Sequence, residues 1–381
     1  MRLAFNATAL LSPLTGIGHY SLHLAEELLK RQNIESHFFY GAFWDRQLHA
    51  RPSPIAKSLP WLRRHVPYSY QLRRLVQNIS FGHGARRGHF DVYHDPNIIP
   101  LCFDGRTVVT VHDLSWIRHP EAHPVERVKA MNRYFAAGLA QADRIITDSV
   151  FVKQELVDVT GVAAERISAI PLGVEALFAP MSPADTQSVL NRHGLIHGRY
   201  FLAVGTLEPR KNLKAALLAY QKLPAATRQH LPLVLIGMKG WHMSALEKQM
   251  QPLESAGQLR QLGYLSRPDL ATVMAGATAL IYPSIYEGFG LPPLEAMACG
   301  VPVICANNSS LPEVVGNAGL LVDPHDESSL AQMMQQLADD DVLRSSLAER
   351  AMERAAQFTW ARCAEQTIDV YRSLAGTGKA S

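Results

Sequence analysis

The chain has 381 residues, of which 47% are apolar and 19% charged, and its formal net charge is +3. That balance excludes a disordered chain and leaves room for two domains with full cores. The charge is too mild to point to nucleic acid, and the longest apolar runs, such as PLVLIG and ATALIYP, are strand-length rather than the about 20 residues of a membrane span.

From the N-terminus, RLAFNAT reads as a first buried strand and not a signal peptide, because Asn6 breaks the apolar run and no small-residue cleavage site follows a longer one. HFFYG, VYHDP, TVVTVHD, RIITDS and ISAIPLG read as further strands. HYSLHLAEELLKR, VERVKAMNRYFAAGLAQA and SVFVKQELVDVTG between them carry apolar residues at helical spacing. This alternation predicts a parallel sheet covered by helices on both faces over residues 1–172. PLGVEALFAPMSPADTQ, with three prolines and little periodicity, marks a linker at 173–196. The alternation restarts at YFLAVGT and runs to GLLVDP, predicting a second doubly wound domain over 197–355. The end of the chain is nearly all helical. Two such sheets joined by a linker are expected to turn their carboxyl ends toward one ligand-binding cleft.

Cys102, Cys299, Cys305 and Cys363 lie far apart or in apolar runs, without a CxxC pair or zinc-type spacing, and are expected to be buried free thiols in a reducing cytosol. DDD at 339–341 lies between helices and reads as a solvated turn, so no metal site is expected. GTGKAS at 376–381 resembles part of a phosphate loop but has no helix after it, and reads as a frayed tail.

The densest chemistry lies in YPSIYEGFGLPPLEAMACG. Glu287 falls just past the end of a predicted strand, and Gly288 and Gly290 allow close backbone approach to a ligand. Pro292 and Pro293 fit a first helical turn, where a missing N–H costs nothing. The amides of Phe289, Gly290 and Leu291 then form an anion site. Carboxylates cannot bind phosphate, so Glu287 and Glu295 must meet hydroxyls or a cation. A nucleotide sugar, with phosphate in its middle and hydroxyls at both ends, fits. The bland alternative is helix capping and a dipole interaction by the two glutamates.

EGFGLPPLE resembles the E-x7-E element of the retaining glycosyltransferases of family 4, which have the GT-B fold. TGIGHYS (15–21) resembles that family's glycine loop, TVVTVHDLSW (107–116) its active-site histidine segment, GTLEPRKNL (205–213) its donor diphosphate loop, and LGYLSRPDL (262–270) the loop beneath the base. FTWARCAEQTIDVYRSL resembles the final helix, here 356–375, that crosses back to the first domain. The order of these motifs extends the resemblance over essentially the whole chain. It implies that Arg210 and Lys211, with Gly205, hold the donor diphosphate, that Glu287 accepts from sugar hydroxyls and that Glu295 holds the ribose. Tyr264 and Leu265 would lie beneath the base. His112 would contact the transferred sugar, and Gly16 and Gly18 would form a loop over the donor phosphate. Asp113 would cap the segment that follows.

The expected activity is transfer of a hexose, with retention, to a hydroxyl of a growing polysaccharide or lipopolysaccharide O-antigen glycan that is expected to be lipid-linked. The leaving phosphate oxygen would assist the incoming hydroxyl from the same face, and domain closure would exclude water. No cofactor or catalytic metal is expected. VHDLSWIRHPEAHP with GTLEPRKNL is most similar to bacterial mannosyl- and rhamnosyl-transferases, which favours GDP-mannose or GDP-rhamnose as donor over a UDP-hexose. A nucleotide-sugar 2-epimerase shares the architecture and stays open, as does a non-catalytic sugar-nucleotide binder. An NAD dehydrogenase is poorly supported, because Gly16 and Gly18 lack the third fingerprint glycine.

KSLPWLRRHVPYSYQLRRL interleaves Lys57, Arg63, Arg64, Arg73 and Arg74 with Trp61, Tyr68 and Tyr70, and Arg86 and Arg87 follow. Such a mixture over 57–87 suits an anionic membrane surface and, equally, an ordinary helical face. The corresponding location is cytoplasmic, held peripherally at the inner face of the plasma membrane.

Overall fold

The computed structural model describes residues 1–12, 14–49, 69–238 and 244–375, with side chains at 69–73, 244 and 245 left undescribed. Most of the basic stretch, including Lys57, Trp61, Arg63, Arg64 and Tyr68, and the tail 376–381 lie outside the described residues. The chain divides into two compact units. The first comprises residues 1–116, 124–173 and 360–381, and the second 117–123 and 174–359.

The first unit is built from β1 (Arg2–Asn6), α1 (Gly16–Leu29), β2 (Glu35–Phe39), β3 (Trp44–Asp45), α2 (Ser69–Gly88), β4 (Val92–Asp95), β5 (Arg106–Val111), the short α3 (Ser115–Arg118), α4 (Val125–Gln141), β6 (Arg144–Thr147), α5 (Val150–Thr160) and β7 (Ile167–Ala169). Its sheet runs β3-β2-β1-β4-β5-β6-β7, parallel throughout except for β3, which pairs antiparallel to β2. β5 is rich in β-branched residues and buried from Thr107 to Val111, as a strand covered on both faces must be. Helix α5 is punctuated locally. Ser149 caps its start by accepting from the Val152 amide, and Gly161, at φ +68, ends it. The strand order reverses between β1 and β4, so Asn6, Asp95 and the loop after β5 gather at the carboxyl edge where such sheets place their ligands.

The second unit contains α6 (Pro183–Arg192), β8 (Phe201–Val204), α7 (Leu213–Lys222), α8 (Ala225–His230), β9 (Leu233–Ile236), α9 (Ser244–Ser255), β10 (Leu259–Gly263), α10 (Arg267–Ala275), β11 (Ala279–Tyr282), α11 (Leu291–Ala298), β12 (Val303–Ala306), α12 (Leu311–Val315), β13 (Leu320–Val322), α13 (Glu327–Asp339) and α14 (Asp341–Ala355). Its sheet is wholly parallel in the order β10-β9-β8-β11-β12-β13, a Rossmann-like arrangement whose switch point lies between β8 and β11. Phe201, Leu217, Tyr220, Leu235, Ile281 and Met334 share one of its cores.

Within the stretch read as linker, α6 is a regular helix that packs on α10. Ser182 and Asp185 form a capping box and Pro183 takes the first helical position, so one of the prolines that suggested a break opens a helix instead. Asp340, the middle of DDD, caps α14 by accepting from the Leu343 amide.

The last helix, α15 (Trp360–Ala375), groups with the first unit, where it packs on α1, β4 and β5. It buries Trp360, Cys363, Ala364, Thr367, Ile368, Tyr371 and Leu374, a stripe at three- and four-residue spacing. Burying a residue such as Ile368 or Leu374 contributes about 1.5–3 kcal/mol. Tyr371 Oη also meets His94 Nδ1 at 2.6 Å, which ties the helix to the sheet. Cys299, Cys305 and Cys363 are buried free thiols as expected; Cys102 is instead exposed, because β4 has ended and the chain runs along the surface toward β5.

Candidate active site

The second unit assembles a charged cluster at its switch point. β8 ends at Val204, and Gly205 turns the chain at φ +144 with its amide bonded to the Ile236 carbonyl. Gly237 backs so closely onto Gly205 that a Cβ there would meet the Gly205 carbonyl oxygen at 1.9 Å, so this packing of β8 on β9 admits only glycine. A 3-10 turn, Pro209–Lys211, then aims two cations along the loop that follows β11.

Lys211 Nζ donates to Glu287 Oε1 at 2.6 Å and to Tyr282 Oη at 2.8 Å. Arg210 Nη1 donates to Glu287 Oε2 at 3.1 Å and to the Tyr286 carbonyl at 2.6 Å, while its Nη2 reaches Glu208 Oε1 at 2.7 Å. Tyr282 and Ser284 hydroxyls complete the shell of Glu287 Oε1 at 2.8 and 2.6 Å. Burial by itself would raise the Glu287 carboxyl, but Lys211, Arg210 and the hydrogen bonds outweigh it and hold the group at about 2. Oε1 thus accepts from three donors, and Oε2 accepts from Arg210. With Glu208 and Glu287 against Arg210 and Lys211, the cluster is formally neutral and its cations are already oriented.

The loop beyond Glu287 supplies donors of a different kind. Gly290 sits at φ +115 as the N-cap of α11, and a Cβ there would meet Leu311 Cδ2 at 2.8 Å. Ser310 Oγ donates to the Glu287 and Phe289 carbonyls at 2.9 and 2.8 Å, which pins the loop. Pro292 and Pro293 have no N–H, and Leu294 bonds back to Gly290. The amides of Phe289, Gly290 and Leu291 have no protein acceptor among the described residues. Three adjacent amides at a helix start can receive an anion.

Glu295 lies one turn into α11 and is buried, accepting from Arg267 Nη2 at 2.7 Å. Arg267 also bonds Glu175 and lies over the Phe178 ring at 4.5 Å. Tyr264 is largely exposed and lines a cavity of about 540 Å³ with Leu207, Gly237, Met238, Gln261 and Gly263, at the carboxyl ends of β9 and β10. Leu265 is half-buried and does not line it.

The remaining expected residues lie in the first unit. His112 follows β5 and is almost fully buried. Its Nδ1 is 2.7 Å from Asp148 Oδ2, and its Nε2 donates to the Pro96 carbonyl at 3.0 Å. Asp113 accepts from the amide and hydroxyl of Ser115 at 2.9 and 2.7 Å, so it starts α3. Gly16 and Gly18 are the first and third residues of α1 rather than parts of a preceding loop. Neither residue has a positive φ, so the helix can begin at once. Asp148, Glu208, Tyr282, Ser284 and Arg267 were not singled out from sequence. Only Glu208 and Arg267, flanking prolines in the motif loops, carried a local signal.

Comparison with known proteins agrees with this architecture. The Glycosyltransferase Family 4 model matches residues 14–176, and the model for Glycosyl transferases group 1 matches 194–354. An Escherichia coli protein named O-antigen chain mannosyltransferase B is 38% identical over 98% of this chain and 100% of its own. Sucrose-phosphate synthase from Thermosynechococcus elongatus superposes with a TM-score of 0.79 at 21% identity, covering 98% of this chain and 99% of that one. WaaG, described as a glycosyltransferase involved in lipopolysaccharide biosynthesis, does so with 0.72 at 17% identity, covering 97% and 99%. The two Rossmann-like units are those of a GT-B glycosyltransferase. The chain belongs to glycosyltransferase family 4.

Proposed function

We propose that this enzyme transfers mannose from GDP-mannose, with retention, to a hydroxyl of a growing O-antigen polysaccharide carried on a lipid. Full-length similarity to a protein named O-antigen chain mannosyltransferase B carries this reading. The cluster around Glu287 supplies the chemistry. A leaving nucleoside diphosphate gains charge as the glycosidic bond breaks, and preorganised donors aimed at that charge lower the barrier. Arg210, Lys211 and the amides of Phe289, Gly290 and Leu291 are those donors. Glu287 holds both cations in place and turns Oε2 to a sugar hydroxyl. Glu295, fixed by Arg267, accepts from the ribose, and the base occupies the cavity beside Tyr264.

The leaving phosphate oxygen takes the proton of the incoming acceptor hydroxyl on the face from which it departs. His112 serves a hydroxyl of the transferred sugar. GDP-rhamnose and UDP-hexoses are the competing donors. Turnover of radiolabelled GDP-mannose by the wild-type enzyme and by Arg210→Ala tests the assignment. Near-normal transfer by the variant overturns it.

Docking at an anionic membrane surface is part of the proposal. No helix among the described residues is long and apolar enough to cross a membrane. Helix α2 exposes Leu75, Val76 and Ile79, and Arg86 and Arg87 lie exposed in its last turn. Exposed apolar residues beside cations support an interfacial helix. Arg74 has other work: it donates to the Ile99 and Pro100 carbonyls and lies over the Tyr134 ring.

A further inference from the structure

His112 is held between two groups of different kind. The Pro96 carbonyl can only accept, so the Nε2 atom facing it at 3.0 Å must carry a hydrogen. Nδ1 faces Asp148 Oδ2 at 2.7 Å, a short contact that requires a proton between them. That proton can sit on the ring, giving imidazolium and carboxylate, or on Asp148, giving imidazole and carboxylic acid. In both cases the ring presents Nε2–H, and the pair stores one proton.

The surroundings favour keeping that proton. Asp148 is 3% exposed, and its other oxygen, Oδ1, is buried with no hydrogen-bond partner among the described residues. A fully ionised, singly contacted carboxylate in such a place would be costly. From α1, the Tyr20 ring packs edge-on against His112 at 4.8 Å, with its hydroxyl on Thr110. From β4 comes His94, whose nitrogens meet Tyr371 and Thr110, and which burial keeps neutral at about 3. From α15 comes Cys363, whose thiol burial pushes well up. Asp113, next in the chain, is the other carboxylate facing the pair. Burial opposes charge on His112, but Asp148 and Pro96 outweigh it and raise its proton affinity. Asp148 in turn is raised by its own burial.

We propose that Asp148 is a positioning residue that fixes His112 as a charge-assisted hydrogen-bond donor through Nε2–H, and so bars it from acting as a base at that nitrogen. During transfer, Nε2–H exchanges the Pro96 carbonyl for a substrate oxygen. This rests on the glycosyltransferase reading. The aspartate at the end of one strand thereby decides what the histidine at the end of its neighbour can do.

The test uses full-length protein labelled with 15N-histidine, with His112→Asn to assign the ring signals. In the wild-type enzyme both ring nitrogens of His112 should appear protonated, or sharing a proton with Asp148, at neutral pH and above the range in which an ordinary imidazole titrates. Asp148→Asn should lower that titration by a unit or more. With GDP-mannose, the same variant should lose about tenfold in kcat with little change in donor KM, as expected when a charged donor becomes neutral. Its basic limb in the pH profile should move to lower pH with the ring titration. A wild-type His112 with one bare nitrogen at neutral pH overturns the inference, as does an Asp148→Asn variant with unchanged titration and pH profile. The NMR measurement does not depend on turnover, so absence of transfer from every donor would defeat the functional reading while leaving this one decided.

Discussion

Lys211 Nζ and Glu287 Oε1 lie 2.6 Å apart although 76 residues separate them in the chain. The contact joins the loop after β8 to the loop after β11, the two strands that flank the switch point. It makes the carboxylate part of the apparatus that aims the cations.

Glu287→Gln should therefore damage two properties at once. Breaking a buried ion pair by removing one partner costs about 3–5 kcal/mol, because Lys211 and Arg210 stay behind with less compensation. Transfer should fall by at least about 10²-fold, the scale of losing preorganised transition-state donors. Thermal melts and kcat measured on the same preparation check this. A stable variant with wild-type kcat would refute the arrangement.

The same residue predicts an acid sensitivity. Glu287 is held at about 2 against an ordinary 4.5. A depressed carboxyl contributes stability above its unfolded value and loses it as pH falls toward its folded one. That difference corresponds to about 3 kcal/mol, lost between about pH 5 and pH 2. Urea melts over this range should show a smaller acid loss in Glu287→Gln than in wild type.

Gly290→Ala places a Cβ at φ +115 and 2.8 Å from Leu311 Cδ2. The loop must shift, turning the amides of Phe289 and Leu291 away from their present directions. Donor KM should rise about tenfold or more, while acceptor KM stays near wild type, since the change weakens a donor-phosphate site. Equal effects on both KM values would count against an anion site at these amides.

Arg86→Glu with Arg87→Glu should weaken binding to vesicles containing phosphatidylserine, with a salt dependence, because each basic residue near such a surface contributes about 1 kcal/mol. Catalysis on a soluble acceptor should not change. Cosedimentation equal to wild type would remove the membrane from the proposal.

Tyr371→Phe isolates the final helix from the chemistry. It leaves His94 Nδ1 buried without its 2.6 Å partner, which should cost about 1–3 kcal/mol. A melt unchanged from wild type would mean that this bond does not fasten α15.

Much of the fold was legible from the sequence because parallel strands buried on both faces read as short apolar runs. TVVTV became β5 and TALIY contains β11, each ending in the polar residues expected of a carboxyl edge. The edge strand β3, Trp44–Asp45, escaped because two residues carry no period. Helix α6 was hidden by its prolines, although Ser182 and Asp185 have capping-box spacing. At the site, the motif loops pointed to Arg210, Lys211, Glu287 and Glu295, but not to their partners. Asp148 lies 36 residues beyond His112, and Arg267 lies 28 before Glu295. Only strand order brings such pairs together, and local sequence does not encode it.

The most direct test is the donor itself. Melting temperatures of the wild-type enzyme and Arg210→Ala should be measured with GDP, GDP-mannose, UDP, UDP-glucose and NAD. A ligand that binds only the folded state raises stability by about 2.7 kcal/mol at a hundredfold excess over its Kd. The account predicts a clear rise with GDP and GDP-mannose that is lost in the variant, and mannose transfer to a mannose-containing acceptor by the wild type alone. A rise confined to UDP compounds, or one with GDP-mannose that survives Arg210→Ala unchanged, would contradict it.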